Sequence, residues 1–146
     1  MHYVDTSVLI AYLAPEKHSA QAEDALRNPA HYPLALSAWT ETELVSAFGI
    51  KCRTGQVDET QMQRALAQYA ALRGYFVHLP VLDEDFRGAA KLLQNWRTGL
   101  RAGDALHLAL AQRHSSVILS LDERLVKAGW QAGIAAKCPR SDDPEG

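Results

Sequence analysis

Short apolar segments alternate with amphipathic segments along this chain, and the alternation limits the folds it can adopt. Apolar and β-branched runs predict strands, and apolar positions at helical spacing between Gly or Pro stops predict helices. The predicted strands are residues 2–5, Leu34–Ser37, Tyr75–Leu82, Val117–Leu121 and a weak last strand near Ile134–Ala136. The predicted helices are Ser7–Ala14, Glu16–Asn28, one from Thr40 to a stop at Gly55, one from Asp58 to a stop at Gly74, Asp83–Trp96, Asp104–His114, and one after Asp122 through Lys127. This order predicts an α/β fold with a mostly parallel sheet covered on both faces.

The composition predicts one globular domain. The chain has 146 residues, of which 47% are hydrophobic and 22% charged, as is typical of a soluble protein. We expect the domain to span residues 1–139 and residues 140–146 to form a flexible tail. No apolar run approaches the roughly 20 residues that cross a bilayer, so we expect a cytoplasmic protein without membrane contact, with Cys52 and Cys138 as reduced thiols. The net charge of −2 gives no general attraction to nucleic acid.

Four acidic residues share a position relative to the predicted elements: each lies where a strand ends or a helix begins. They are Asp5, Glu43, Asp104 and Asp122. The carboxyl ends of parallel strands and the starts of the following helices meet at one edge of the sheet, so these carboxylates could converge. Converging carboxylates repel unless a cation neutralises them, and Mg²⁺ and Mn²⁺ prefer oxygen ligands. The pattern predicts a divalent-metal site.

Each acid also has a purely structural interpretation. Asp5 and Asp122 could cap the helices that follow them, and Asp104 could oppose the dipole of its own helix. Glu43 could reach back to Thr40 in a capping box. In that case Glu41 would be the rival metal ligand.

Four motifs in a fixed order resemble a known family. They are "DTSVLI" near the first residue, S-x5-EL from Ser37, "GDALHLALA", and a hydroxyl-x-Asp from Ser120 to Asp122. Together they resemble the PIN domain, specifically its VapC-like toxin branch, and the resemblance runs from Met1 to about Pro139. It implies a three-layer α/β/α sandwich. The offset from Ser37 favours Glu43 over Glu41.

The resemblance also implies an activity and partners. It implies a Mg²⁺- or Mn²⁺-dependent endoribonuclease, the toxin of a VapBC-type toxin–antitoxin module, inhibited by a VapB-like antitoxin and assembled as a homodimer. The acids Asp5, Glu43, Asp104 and Asp122 carry over as catalytic metal ligands, and Thr6, Ser7 and Ser120 as hydroxyl support. Ser120 replaces the threonine that the family commonly has there. A water activated by the metal would attack the phosphate in line.

The alternative function is a PIN-like domain that binds RNA or a protein without cutting. Other enzyme classes are excluded by missing motifs, because the sequence has no G-x-G-x-x-G, no G-x4-G-K-[ST] and no G-x-S-x-G.

Five further residues have open roles. His107 lies one helical turn after Asp104 and is either a proton shuttle or a structural group. Arg97 and Arg101 either bind RNA phosphates or lie in a solvated loop. Trp96 could stack on a base or pack against protein, and the same choice applies to Trp39.

Overall fold

The fold is given by a computed structural model, which describes residues 1–139. The predicted flexible tail, residues 140–146, lies outside the described residues. Within 1–139, the helices and strands alternate from β1 to β5 as the sequence pattern predicts.

A five-stranded sheet forms the centre of the molecule, and all its neighbouring strands are parallel. The strands are β1 (His2–Val4), β2 (Leu34–Ser37), β3 (Val77–Leu79), β4 (Val117–Leu119) and β5 (Ala136–Lys137), in the spatial order β3-β2-β1-β4-β5. In register, Tyr3 lies opposite Ala35 on β2 and Ile118 on β4. The strands that follow β1 in sequence therefore lie on both sides of it, and this reversal of strand order makes a topological switch point beside β1.

Seven α-helices connect and cover the strands in the described part of the chain. They are α1 (Thr6–Leu13), α2 (Ser19–Arg27), α3 (Ala38–Arg53), α4 (Glu59–Leu72), α5 (Asp83–Leu93), α6 (Ala102–Arg113) and α7 (Glu123–Gln131). Short 3-10 turns occupy Pro29–His31, Arg73–Tyr75 and Trp96–Thr98.

The sheet separates two apolar cores, because successive strand residues point to opposite faces. Val4, Leu36 and Leu119 face a core built with α1 to α4. Tyr3 and its strand neighbours at the same register level face a second core, built with α5 to α7. These two cores confirm the predicted three-layer α/β/α sandwich, with a sheet that is wholly rather than mostly parallel.

Several predicted boundaries were wrong for local reasons. The strand predicted from residue 75 to residue 82 is only β3, because a 3-10 turn precedes it and Pro80 after it has no N–H to donate to the ladder. Helix α3 begins at Ala38 rather than at Thr40, with Ser37 as its N-cap. The helix predicted to reach Trp96 ends at Leu93, and α7 continues beyond the predicted end to Gln131.

Among residues 1–139, no helix combines the length and apolarity needed to cross a membrane.

Candidate metal centre

Asp5 lies directly after β1, at the switch point of the sheet. Asp5 is 5% exposed, and its Oδ2 accepts hydrogen bonds from the hydroxyls of Ser7 (2.5 Å) and Ser120 (2.8 Å). Oδ2 also accepts a long bond from the Ser7 N–H, which makes Asp5 the N-cap of α1. The capping interpretation of Asp5 is therefore confirmed, and its role as a metal ligand stays a prediction. The hydroxyls fix Oδ2, while Oδ1 lies 3.6 Å from Nε2 of His107.

Glu43 reaches the same place from the second turn of α3. Its Oε1 accepts a hydrogen bond from the Thr6 hydroxyl (2.8 Å) and contacts Nε2 of His107. The capping-box interpretation of Glu43 is wrong, because α3 begins earlier and the hydroxyl of Thr40 accepts the N–H of Ser37. Burial would raise the pKa of Glu43, but the hydrogen bonds from His107 and Thr6 lower it.

The rival residue Glu41 lies elsewhere. Its carboxylate is exposed and pairs with Arg73 at 3.2 Å, beside β3. Glu43 rather than Glu41 therefore faces Asp5.

Asp104 lies in the first turn of α6, and its Oδ2 accepts the backbone N–H of Arg101 at 3.3 Å. Burial raises the pKa of Asp104, and the charges of Asp5, Asp122 and Glu43 raise it further. Asp104 is not part of the group of ligand atoms within 4.8 Å that Asp5, Glu43 and His107 form among the described residues.

Asp122 is the N-cap of α7, where its Oδ1 accepts the N–H groups of Arg124 and Leu125. Ser120 connects it to Asp5, because the Ser120 hydroxyl accepts the Asp122 N–H (3.0 Å) while donating to Asp5. Asp122 thus combines a capping role with a position at the acidic edge.

His107 is the residue whose place the sequence defined least. It is fully buried, and its Nε2 side faces Glu43, Asp5 and Thr6. A ligand atom from each of Asp5, Glu43 and His107 lies within 4.8 Å of the others. Burial would lower the pKa of His107, but the hydrogen bond to Glu43 and the neighbouring carboxylates raise it.

Tyr3 is a member of this site that the sequence did not indicate. Its hydroxyl lies 2.7 Å from Nδ1 of His107 and 2.8 Å from the Ser37 hydroxyl. Burial raises the pKa of Tyr3 far above its usual range, so the hydroxyl keeps its proton. The only available signal was alternation along β1, which places Tyr3 on the α6 side of the sheet.

Gly103 leaves room for the Glu43 side chain. A Cβ at Gly103 would lie 2.7 Å from Oε2 of Glu43 and 3.2 Å from two atoms of the Trp39 ring. Trp39 therefore packs against the start of α6, rather than standing free to stack on a base. Its Nε1 is buried and has no hydrogen-bond partner among the described residues.

The donor set fits a hard divalent cation. Asp5 and Glu43 bring carboxylate oxygens together at one edge of the sheet; among residues 1–139, the ligand atoms within 4.8 Å of one another belong to these two acids and His107, not to Asp104 or Asp122. Burial and the charges of the other three acids raise the pKa of Asp104. Gly103 keeps space beside Oε2 of Glu43 that a larger residue would fill. Of the four acids Asp5 is buried and the other three are half-buried, and an excess of partly buried oxygen donors is an environment that Mg²⁺ and Mn²⁺ favour.

The predicted RNA-contacting residues lie at the surface between α5 and α6. Trp96 is 73% exposed, and the Arg97 guanidinium stacks 4.5 Å from the centre of its ring. Arg101 is exposed at the N-cap position of α6, three residues before Asp104. Trp96 therefore belongs to an exposed basic loop, not to the core.

Comparisons with known proteins agree on the fold. The family model described as PIN domain matches residues 2–131. No curated protein matches the chain. Among solved structures, FitAcB from Neisseria gonorrhoeae is similar with a TM-score of 0.74 and 20% identity, covering 95% of this chain and 98% of that chain.

Two further structures are similar over nearly their whole length. VapC20 from Mycobacterium tuberculosis, described as a toxin that cleaves the sarcin–ricin loop, gives a TM-score of 0.70 at 16% identity, covering 88% of this chain and 95% of that one. A toxin–antitoxin complex from Klebsiella pneumoniae gives 0.63 at 22% identity, covering 97% and 99%. At these identities the likeness is one of fold.

Proposed function

This chain belongs to the PIN domain family, and on that premise we propose that it is a metal-dependent endoribonuclease that acts as the toxin of a VapBC-type toxin–antitoxin pair. Its cofactor is Mg²⁺ or Mn²⁺, and its substrate is RNA. The observation that carries the proposal is the meeting of Asp5 and Glu43 at the carboxyl edge of the sheet. The pKa of Asp104 is raised by burial and, further, by the charges of these two acids.

Asp5, Glu43 and Asp104 would hold the ion, with Asp122 as a fourth ligand. When bound, a divalent ion supplies positive charge for the phosphate and lowers the pKa of a water. Water then adds across the phosphodiester bond: its oxygen joins phosphorus, the bond from phosphorus to the 3′ oxygen breaks, and one hydrogen ends on that oxygen. The products are a 3′-hydroxyl and a 5′-phosphate.

The residues around the acids fix their orientation. Ser7 and Ser120 donate to Oδ2 of Asp5, so that Oδ1 points toward Glu43 and His107. Thr6 donates to Oε1 of Glu43. Because these partners are supplied by the fold, the carboxylates need little reorganisation when an ion and substrate arrive.

Arg97 and Arg101 are the proposed phosphate contacts. Both are exposed, and Arg101 begins the helix that carries Asp104. A guanidinium can hold two phosphate oxygens at once, and the adjacent Trp96 ring offers a stacking surface for a base. Single-stranded RNA running along this loop would enter the acidic edge.

The proposed protein partner is a VapB-like antitoxin. Toxins of toxin–antitoxin complexes are among the structures with this fold, which supports the assignment. A site with four carboxylates would accept an Arg or Lys side chain from an inhibitory segment. The proposal includes a homodimer, and size-exclusion chromatography of the purified protein would measure it.

RNA cleavage by the purified, partner-free protein tests the proposal. The protein is incubated with total cellular RNA and Mg²⁺ or Mn²⁺, with and without EDTA, and the RNA ends are mapped. Discrete cuts that require the metal and disappear in Asp5→Asn are expected. Asp24→Asn, the same change at an exposed position of α2, is the matched control. RNA that binds but stays intact under all conditions would indicate the non-cleaving alternative.

A further inference from the structure

A buried hydrogen-bonded chain runs from the sheet to the carboxylate of Glu43. It begins at the Ser37 hydroxyl, passes 2.8 Å to the Tyr3 hydroxyl and 2.7 Å to Nδ1 of His107, and continues from Nε2 to Oε1 of Glu43. Tyr3, Ser37 and His107 are each 0% exposed. This series of hydrogen bonds therefore crosses the interior between β1, β2 and α6 and ends at a proposed metal ligand.

The proton positions follow from the chemistry of Glu43. An ionised carboxylate can only accept, so Nε2 of His107 carries the hydrogen in its contact with Oε1. On the other side of the ring, the Tyr3 hydroxyl donates to Nδ1 when the ring is neutral, or accepts from it when the ring is charged. In both cases Tyr3 keeps the Nε2–H directed at Glu43.

The two oxygens of Glu43 are in different environments. Oε1 accepts hydrogen bonds from the Thr6 hydroxyl and from Nε2 of His107, whereas Oε2 points into the space beside Gly103. Fixing Oε1 sets the torsion of the carboxylate and so the direction of Oε2. Without His107, Oε1 would keep only the hydrogen bond from Thr6, and the carboxylate could rotate about that one hydrogen bond.

We propose that Tyr3 and His107 are positioning residues: His107 fixes Oε1 of Glu43, Tyr3 fixes the ring of His107, and together they present Oε2 to the metal-binding edge. This inference rests on the proposed function only in taking Glu43 as a metal ligand. It differs from direct ligation by His107, which would require Nε2 to give up its contact with Glu43.

Mn²⁺ affinity, measured by electron paramagnetic resonance without RNA, tests the proposal. Loss of an interaction that orients a metal ligand typically weakens affinity by about 10- to 100-fold. We expect a loss in that range for His107→Leu, and a loss of about 10-fold for Tyr3→Phe, at the lower end of the same range. His107→Gln places an amide donor near the position of Nε2 and should recover most of the affinity.

The variants separate positioning from other roles. Direct ligation predicts that the Gln variant binds Mn²⁺ as weakly as the Leu variant, and that result would overturn the proposal. Wild-type affinity in His107→Leu or in Tyr3→Phe would also overturn it. Tyr69→Phe, at a buried tyrosine of α4 outside the site, is the control for loss of a tyrosine hydroxyl. Thermal unfolding of each variant separates altered affinity from altered stability.

Failure of the proposed function gives a different pattern. If the wild type binds Mn²⁺ and the variants show the expected order of affinities, but no RNA is cut, the ribonuclease proposal fails and the positioning role stands. A wild type that binds no Mn²⁺ overturns the positioning role directly.

Discussion

Glu43 and Gly103 face each other across the acidic edge, with Oε2 of Glu43 only 2.7 Å from the point that a Cβ on Gly103 would occupy. Gly103 is in the first turn of α6, where alanine would favour the helix by up to about 1 kcal/mol. The nearest obstacle is the end of the flexible Glu43 side chain, which can move away, and the Trp39 ring at 3.2 Å must shift by a few tenths of an ångström for the fold to accept the methyl group. We expect Gly103→Ala to keep its Tm but to lose Mn²⁺ affinity and RNA cleavage by about 10-fold or more.

Gly49→Ala is the matched control. Gly49 lies inside α3, and the nearest atom to its added Cβ is Nη1 of Arg53 at an ordinary 3.6 Å. This variant gains the same helix propensity and should cleave RNA as the wild type does. Full metal affinity in Gly103→Ala would show that the position of Oε2 is unimportant.

Glu41 and Glu43 form a second matched pair. They lie two residues apart on α3, yet Glu43 contacts Thr6 and His107 while Glu41 pairs with Arg73 at the surface. We expect Glu43→Gln to reduce the rate of RNA cleavage by at least about 10-fold, in line with the loss of a metal-site interaction. Glu41→Gln removes an exposed pair that contributes less than about 1 kcal/mol, and should cleave normally. If Glu41→Gln lost activity and Glu43→Gln kept it, Glu41 rather than Glu43 would be the glutamate of the site.

The positions of the acids followed from sequence because each is tied to a local signal. Asp5 ends an apolar strand, Asp104 begins a helix, and parallel strands bring such ends to one edge. The choice of Glu43 over Glu41 came from the offset from Ser37 in the family resemblance, and Ser37 proves to be both the last residue of β2 and the N-cap of α3. The periodicity of α3 alone could not separate the two glutamates.

The interior side of the site could not be predicted in the same way. His107 was visible one turn after Asp104, but its partner Tyr3 is 104 residues away in sequence. Their meeting depends on how α6 packs against β1, a tertiary contact with no local signature. The role of Gly103 could not be predicted for the same reason, because its missing Cβ matters only where the Glu43 side chain from α3 lies against it.

The ion pair between Asp85 and Arg113 is expected to make the free energy of unfolding fall at acid pH. Asp85 is 1% exposed, caps the start of α5, and accepts bonds of 2.6 and 2.9 Å from Arg113 near the end of α6. Burial would raise the pKa of Asp85, but the Arg113 hydrogen bonds hold it below its ordinary value of 3.8. We expect Asp85→Asn to lower the free energy of unfolding at pH 7 by about 1.5–3 kcal/mol, the contribution of hydrogen bonds to a charged group, since the change leaves the partly exposed Arg113 without its charge partner.

The sign of the pH effect follows from that lowered pKa. The unfolded chain takes up a proton at Asp85 more readily than the folded chain, so the stabilisation is complete above the ordinary pKa of 3.8 and is lost as the pH falls through the lower folded value. Urea unfolding should therefore show the gap between wild type and Asp85→Asn narrowing below about pH 4. Glu23→Gln, in the exposed pair with Arg27, should change stability by less than about 1 kcal/mol. A pH-independent gap would contradict the prediction.

Arg97 is expected to act on RNA affinity rather than on chemistry. Its guanidinium stacks on the exposed Trp96, away from the interior contacts of the acids. Each phosphate contact to a single strand contributes about 0.7 to the slope of log affinity against log salt. Arg97→Gln, measured by fluorescence anisotropy in an Asp5→Asn background, should weaken binding and reduce that slope by about this amount.

Arg64→Gln removes the same charge from α4, beside Leu13 at the end of α1. It should leave RNA affinity and its salt dependence unchanged. Equal effects of the two substitutions would mean that RNA senses only the net charge of the protein.

The most direct measurement is an anomalous difference map from crystals soaked in Mn²⁺. We predict a peak among the carboxylates of Asp5, Glu43 and Asp104 in the wild type, and its disappearance in Asp5→Asn. A well-ordered edge without a peak at millimolar Mn²⁺, or a peak that persists in Asp5→Asn, would contradict the assignment of these acids as the metal centre.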